Sequence, residues 1–499
     1  MAKISEIAAQ NPWWTQGVDF RLSDKHLSQA QPVFFKRKAI DFEPGNIYML
    51  RGCRQVGKTT YLKDTVRMLL ERGTLPRHIV YLSLDSFTSR REMRNTINYL
   101  LEISQDVERL YLFMDEVSSV PDWNLELKYM ADQGITRKTI IVATGSSAAG
   151  LKRLGELLPG RGLEGNENYF KPLTFRDFSL QVIEYIINRP LEEELRRSLK
   201  NLYDTLKSTI LDINTSITDT QRITNTLVPF YREIHYLFKI YLTTGGFPGV
   251  INHYLIQRFD KNEETINPSL AEILIRQVFG DVVKQNKQET KTRQILKELI
   301  TKYGTRYSFS SLARDIEMVH STTIDYLDLL QDSFVVFTFY PYDFNSKKPK
   351  FKGDKKIYFL DPFIYYSLES HLTGRELWKI IQDTLTDEEL LGKIVEGVVS
   401  NHLLVSTEIP YIREGITFLW FHYGRDGKEI DNIFKRDKKS YLGIEVKYQR
   451  EVDTRDVVRV SPVKDYLLLS REDVGQGKNV LVIPVCVFLA LLFTSSRNL

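Results

Sequence analysis

The stretch RGCRQVGKTT, Arg51 to Thr60, constrains this chain more than any other. From Gly52 to Thr59 it reads G-x-x-x-x-G-K-T, the spacing at which a glycine loop wraps phosphate groups with its backbone N–H donors. Ile47-Tyr48-Met49-Leu50 before it is a short apolar run, as a buried strand requires. YLKDTVRMLLERG after it sets Leu62, Val66 and Leu69 or Leu70 at helical spacing. Strand, loop and helix in that order make a nucleotide site. The expected contacts come from Gly52, Arg54, Gln55, Val56, Gly57, Lys58, Thr59 and Thr60. Loop N–H groups and the helix N-terminus offer positive potential. Lys58 is expected to reach the β and γ phosphates, and the Thr59 hydroxyl to bind Mg²⁺.

A second signal follows one unit later. His78 to Asp85 reads as a strand, and a helical stretch carries Ile97, Leu100, Leu101 and Ile103. RLYLFMDE, Arg109 to Glu116, is then an apolar strand ending in two carboxylates. Asp115 is placed to hold hydrated magnesium and Glu116 to polarise the attacking water. Thr139 to Ala143 is a further strand, ending in Thr144-Gly145-Ser146-Ser147. A polar residue there, Thr144 first, can touch the γ-phosphate or the water. This is the layout of ATPases with an added central strand and a catalytic glutamate. A guanine reader would need Asn-Lys-x-Asp. Asn286-Lys287-Gln288-Glu289 ends in the wrong residue, in a helical region far from the sheet, so ATP is favoured over GTP. The predicted core is a parallel α/β sheet with helices on both faces.

RGCRQVGKTT, LFMDEVSSVPDW, ATGSSA, LPGRG, KPLTFRDF and GGFP occur in that order. Together they resemble the AAA-type (AAA_14) ATPases of archaea and bacteria that carry a C-terminal domain called DUF4143, over nearly the whole chain. Cys53 stands where that family usually has proline. The resemblance implies ATP hydrolysis with Mg²⁺. Arg161 of LPGRG is placed to neutralise γ-phosphate charge, in cis or from a neighbouring copy in a homo-oligomer, although a structural salt bridge before the last strand explains it equally well. The resemblance also places Gly246 and Pro248 of GGFP near the adenine, although a tight turn between helices explains them equally well.

Beyond the core, residues 180–285 are helical in pattern and read as a lid. ILKELITKYG, SFSSLARDI and HSTTIDYLDLLQDS precede FVVFTFYPYDF and KIYFLD, three helices and a hairpin, which is a winged helix-turn-helix. Its third helix carries Asp325, Asp328 and Asp332 and no Lys or Arg, so it is ill-suited to a DNA groove. Lys347, Lys348, Lys350, Lys352, Lys355 and Lys356 form a basic wing able to track DNA or RNA backbone. In the tail, Glu396 on a helix, Asp431 in an E-x-D triplet and Glu445-x-Lys447 on later strands resemble the PD-(D/E)xK nuclease fold. Glu396, Asp431 and Glu445 would hold Mg²⁺ or Mn²⁺, and Lys447 would act on water. The competing function is a signalling or scaffolding ATPase whose winged helix and inactive tail bind protein.

The expected layout is a strap over 1–45, an ATPase core over 46–180, a lid over 181–285, a winged helix over 286–345, the basic wing and linker over 346–385 and a restriction-endonuclease-like domain over 386–499. Composition agrees with a multidomain globular chain: 499 residues, 42% hydrophobic and 26% charged, with net charge +4. Two cysteines, Cys53 and Cys486, exclude a disulfide framework and fit a reducing cytoplasm. No apolar stretch has signal-peptide character at the start, and Val480 to Phe493, interrupted by Pro484, is too short to span a bilayer. It reads as a buried strand followed by a helix, so no membrane partner is expected. Trp13 and Trp14 are too apolar to stay solvated and are expected to anchor on another domain or subunit.

Overall fold

The computed structural model describes residues 4–28, 31–104, 107–145, 166–406, 418–424, 427–436 and 440–493. The chain divides into two compact units, Met1–Lys171 and Pro172–Asn498. The break falls inside KPLTFRDF. Pro172 opens the second unit, and the Thr174 hydroxyl caps the helix Phe175–Ile187 by accepting the N–H of Asp177.

The first unit is built on five strands: β1 (Ile47–Gly52), β2 (Ile79–Ser83), β3 (Leu110–Asp115), β4 (Thr139–Gly145) and β5 (Glu167–Phe170). Their spatial order is β2-β3-β4-β1-β5, and every pairing is parallel. Side chains of β1, β3 and β4 are buried on both faces, which is why these segments read as continuous apolar runs rather than alternations. Helices Lys58–Glu71, Arg90–Glu102 and Trp123–Asp132 cross between strands. The sequence expected an added central strand, and β4 is that strand. It lies between the phosphate-loop strand and the acidic strand, so Thr144 sits beside the carboxylates rather than at the sheet edge.

β2 is an edge, and the N-terminal segment closes it. The Asn11 side chain donates to the Tyr81 carbonyl at 2.9 Å and accepts the Tyr81 N–H at 2.6 Å, as a paired strand would. The Gln10 side chain accepts the Ser83 N–H at 2.7 Å, and both indoles, of Trp13 and Trp14, donate to the Ile79 carbonyl. Four free backbone groups on an otherwise open edge are satisfied. The tryptophans of the strap therefore anchor on the edge strand of the sheet.

The second unit begins with a helical region running from Phe175 through Pro268–Lys284. Three helices follow, Glu289–Thr301, Phe309–Asp315 and His320–Asp332. Then β6 (Val336–Phe339) pairs antiparallel with β9 (Lys356–Phe359). Tyr307 bridges Lys355 at the edge of that pair. The intervening loop carries the short strands β7 (Tyr342–Asp343) and β8 (Lys348–Pro349). Lys347, Lys348, Lys350 and Lys352 are exposed on it, but Lys355 and Lys356 are buried and leave the basic wing. The bridge to Tyr307 holds Lys355 over the Phe309 ring, and β9 turns Lys356 into the acidic cluster described below.

Helix Glu388–Val405 then leads into a mixed sheet of six strands: β10 (Leu419–Tyr423), β11 (Glu429–Lys435), β12 (Tyr441–Val446), β13 (Asp465–Ser470), β14 (Gly475–Gly477) and β15 (Val480–Pro484), in the order β10-β11-β12-β13-β15-β14. β12 and β13 are parallel. Their connection carries only the single turn Thr454–Asp456, without the crossover helix that a nuclease-like fold calls for. β15 and the buried helix Val485–Leu491 account for the apolar run near the C-terminus. Among the described residues, no helix is long and apolar enough to cross a membrane.

Candidate functional site

The glycine loop closes tightly between β1 and β5. Gly52 pairs with Phe170, and a Cβ on Gly52 would fall 1.7 Å from the Phe170 carbonyl oxygen, so only glycine lets the two backbones meet. Gln55 and Gly57 take left-handed conformations, with φ of 63° and 92°, which turn successive N–H groups toward one side. The Lys58 ammonium donates to the carbonyls of Gly52 at 2.8 Å and Cys53 at 2.7 Å, stapling the loop's start to the helix. Burial lowers its pKa, and Glu116 is the foremost charge opposing that shift. The guanidinium of Arg37, in the strap, donates to the carbonyls of Val56 and Lys171, each at 3.0 Å. Arg54 and Thr60 are half-buried on the same loop and helix start.

Asp115 is the hub of this unit's polar contacts. Its Oδ2 accepts from the Thr59 hydroxyl at 2.7 Å and the Tyr81 hydroxyl at 2.8 Å, and its Oδ1 accepts from the Thr144 hydroxyl. The Thr144 oxygen in turn accepts the N–H of Glu116 at 2.9 Å. Glu116 follows β3 with φ 55°, a left-handed backbone that a non-glycine residue adopts at a cost of about 1 kcal/mol. The Thr144 hydroxyl thus fixes the two carboxylate residues relative to each other. Tyr81 is a functional neighbour that the sequence hid, since one tyrosine in an apolar strand carries no signal. The Lys63 ammonium packs 3.8 Å from the centre of the Tyr81 ring and 3.8 Å from an Asp24 oxygen, and burial takes its pKa down to about 8.

Arg161, like Ser146 and Ser147, lies outside the described residues. Gly246 and Pro248 lie in the second unit. There the Gly246 N–H donates to Asp361 at 2.8 Å, its carbonyl accepts from Leu173 at 2.8 Å, and a Cβ on Gly245 would collide with Asp361. This buried clasp accounts for both glycines by packing. Asp361 also accepts the N–H of Phe363 at 2.8 Å, and burial pushes its carboxyl up to about 7. A raised pKa means the folded state holds the proton more tightly than the unfolded chain. The stability that Asp361 contributes is therefore complete below about pH 4 and lost as pH rises through about 7. An Asp361→Asn variant mimics the protonated form. In urea unfolding between pH 5 and 8, its stability relative to wild type is expected to improve with pH, by up to about 3 kcal/mol. A pH-independent difference would mean that Asp361 stays ionised.

In the mixed-sheet region, Glu396 and Asp431 come together as expected, but with Glu429 rather than Glu445. One oxygen from each of Glu396, Glu429 and Asp431 lies within 4.8 Å of the others. The Lys356 ammonium sits among them, 2.6 Å from Glu396, 3.5 Å from Asp431 and in direct contact with Glu429. Arg306 reaches the other Glu429 oxygen at 3.1 Å, the Tyr358 hydroxyl donates to Glu396, and the Val446 N–H donates to Asp431 at 2.8 Å. Burial opposes the charge on Lys356, but Glu396, Asp431 and Glu429 outweigh it and hold its pKa above the usual lysine range. Burial and the excess of carboxylates raise the pKa values of Glu396 and Asp431. Glu445 follows Ile444, the partner of Asn432, and the charge of Asp431 acts on it, but it is not one of the three converging carboxylates. Its Oε1 accepts the Val458 N–H at 2.6 Å, and burial takes its carboxyl up to about 8. Lys447 joins β13 through its backbone N–H to the Leu469 carbonyl, and forms no ion pair with the cluster among the described residues. The donor set does not fit a Mg²⁺ or Mn²⁺ site, because a lysine ammonium occupies the position of the cation.

Residues 44–179 match the family described as an AAA domain, and residues 235–375 match a domain of unknown function, DUF8612. The second match replaces the DUF4143 domain suggested by the sequence motifs. Two similar proteins are themselves uncharacterised. MJ1637 of Methanocaldococcus jannaschii is 26% identical over 73% of this chain and 69% of its own length. A Haemophilus influenzae protein is 23% identical over 85% of this chain and 94% of its own. Among solved structures, a RuvB variant of Thermotoga maritima superposes with TM-score 0.25 at 14% identity, covering 67% of this chain and 89% of that one. AMPPCP-bound DnaA of Aquifex aeolicus gives TM-score 0.22 at 17% identity, over 57% and 80%. At these scores neither superposition carries an argument about function.

Proposed function

We propose that the chain is a Mg²⁺-dependent ATP hydrolase of AAA type. One observation carries the reading: the hydroxyl of Thr59, at the start of the loop helix, and the carboxylate of Asp115, at the end of the acidic strand, meet at 2.7 Å with Glu116 next in line. Two hard oxygen donors side by side suit Mg²⁺, which when bound to nucleotide neutralises phosphate charge. Lys58 exchanges the Gly52 and Cys53 carbonyls for phosphate oxygens. Glu116 polarises the water, its backbone held in place by Thr144. Arg161, from the same or a neighbouring copy, supplies charge at the γ-phosphate. The test is phosphate release from ATP with and without Mg²⁺, and absence of Mg²⁺-dependent release sinks the reading. GTP recognition has no support, because Asn286 to Glu289 lacks the final aspartate of a guanine reader and Lys287 is paired with Asp325 at 3.6 Å.

In this reading residues 181–285 act as a helical lid, 286–345 as a winged helix, and the mixed sheet as a module that binds without cleaving. The wing contacts nucleic-acid backbone through Lys347, Lys348, Lys350 and Lys352, which flank Phe351, a ring left 55% exposed. Retention of the full-length protein on DNA is expected to fall steeply with salt. Changing the four lysines to glutamine should make the log–log slope shallower by about three. A second reading, a signalling ATPase with a protein partner, is favoured by the acidic face of His320–Asp332 and by the lysine in the acidic cluster. Failure to bind single- or double-stranded DNA at low salt would leave that reading alone.

A further inference from the structure

Lys171, the residue after β5, has a side chain that the fold does not explain. Only 3% of the residue is exposed. Among the described residues no carboxylate pairs with its ammonium, and no carbonyl accepts from it. Burial lowers its pKa to about 8, and Cys53 is the one titratable group acting against that shift. Buried lysines are ordinarily paired, because an isolated ammonium loses its hydration without return.

The strand register fixes where this cation lies. Gly52 and Phe170 are direct partners in the parallel pair, with their backbones in contact. The next residue on each chain is Cys53, the first inside the phosphate loop, and Lys171. The Arg37 guanidinium ties the same place together, donating to the carbonyls of both Lys171 and Val56. The loop thus has two buried lysines beside its first turn. Lys58 comes from the helix and satisfies its donors on loop carbonyls, whereas Lys171 follows β5 and has no acceptor among the described residues.

We propose that Lys171 is a second phosphate-binding cation of this loop, and that the polyphosphate of a bound nucleoside triphosphate is its counter-charge. The inference rests on the loop being the nucleotide site. It explains why a desolvated ammonium is kept at this position. The cost falls on the ligand-free protein, and an anion entering the loop removes it. Lysine is a compact point charge on a flexible stem, which suits a phosphate approached from the strand side.

The test compares full-length wild type, Lys58→Ala and Lys171→Met for binding of a fluorescent ATP analogue with Mg²⁺. Thermal melting is followed without ligand and with inorganic tripolyphosphate, which has charge but no base. Lys171→Met is expected to bind the nucleotide about tenfold or more weakly and to lose most of the tripolyphosphate-induced rise in melting temperature. Without ligand it is expected to melt at or above the wild-type temperature, because methionine fills the space without a buried charge. Affinity within twofold of wild type, with Lys58→Ala unable to bind, would overturn the role of Lys171 and leave the nucleotide site standing. A ligand-free Lys171→Met that melts well below wild type would also overturn it, by showing that the ammonium serves the fold. A wild type that binds no nucleotide removes both the site and the inference.

Discussion

Glu116→Gln is expected to retain ATP and lower its hydrolysis by about a thousandfold, the range in which a positioned general base acts. The substitution is nearly isosteric. The backbone at residue 116 is held by its own N–H on the Thr144 hydroxyl, which the change of side chain does not touch. What is lost is negative charge beside Lys58 and the means to polarise water. Lys58→Ala separates binding from chemistry in the opposite direction. It removes the ammonium that closes the loop on Gly52 and Cys53, and nucleotide binding should fall below detection rather than turnover alone. Single-turnover phosphate release beside equilibrium binding distinguishes the two. Equal release by wild type and Glu116→Gln would show that another group activates the water.

The sequence made this part of the site readable because its residues sit at fixed offsets on consecutive elements. Gly52 to Thr59 is a local motif, and Asp115 and Glu116 end an apolar run, so neither needed a long-range contact to be recognised. The supporting residues are different. Tyr81 reaches Asp115 only because β2 and β3 are neighbours with Ser83 opposite Asp115, a register no local pattern reveals. Trp13 and Trp14 announced that they must be buried, but not that β2 would be an open edge with four backbone groups to satisfy. Lys171 looked like one charge in KPLTFRDF until β5 placed it beside Cys53. In the second unit, Lys355 and Lys356 lay within a run of lysines and were read with it. The Phe339–Lys356 pair of β6 and β9 and the Tyr307–Lys355 bridge separate them from the loop and bury them. Glu429, the first residue of the E-x-D triplet, takes the place expected of Glu445 for a similar reason. β11 presents Glu429 and Asp431 on one face, as strand alternation requires, while Glu445 is drawn toward Val458.

That rearrangement leads to the largest expected loss of stability. Lys356→Met leaves Glu396 and Asp431 buried without the ammonium that sits between them, and Arg306 reaches only Glu429. Breaking a buried ionic group by removing one partner is expected to cost about 3–5 kcal/mol. The loss should depend on pH with a definite sign. Carboxyls whose pKa values are raised in the fold contribute stability at low pH and lose it as pH rises, and removing the lysine raises them further. Lys356→Met should therefore approach wild type in acid and diverge from it toward neutrality. Adding Glu396→Gln should restore part of the loss, because the cluster then has one less charge to hold. The same geometry predicts how the wild type meets metal. With Lys356 in place, millimolar Mg²⁺ or Mn²⁺ should not raise the melting temperature of the second-unit transition, and Asp431→Asn should not change that response. A rise of several degrees that Asp431→Asn abolishes would mean that the lysine yields to a divalent ion. The nuclease reading would then regain the metal site that the folded cluster does not offer.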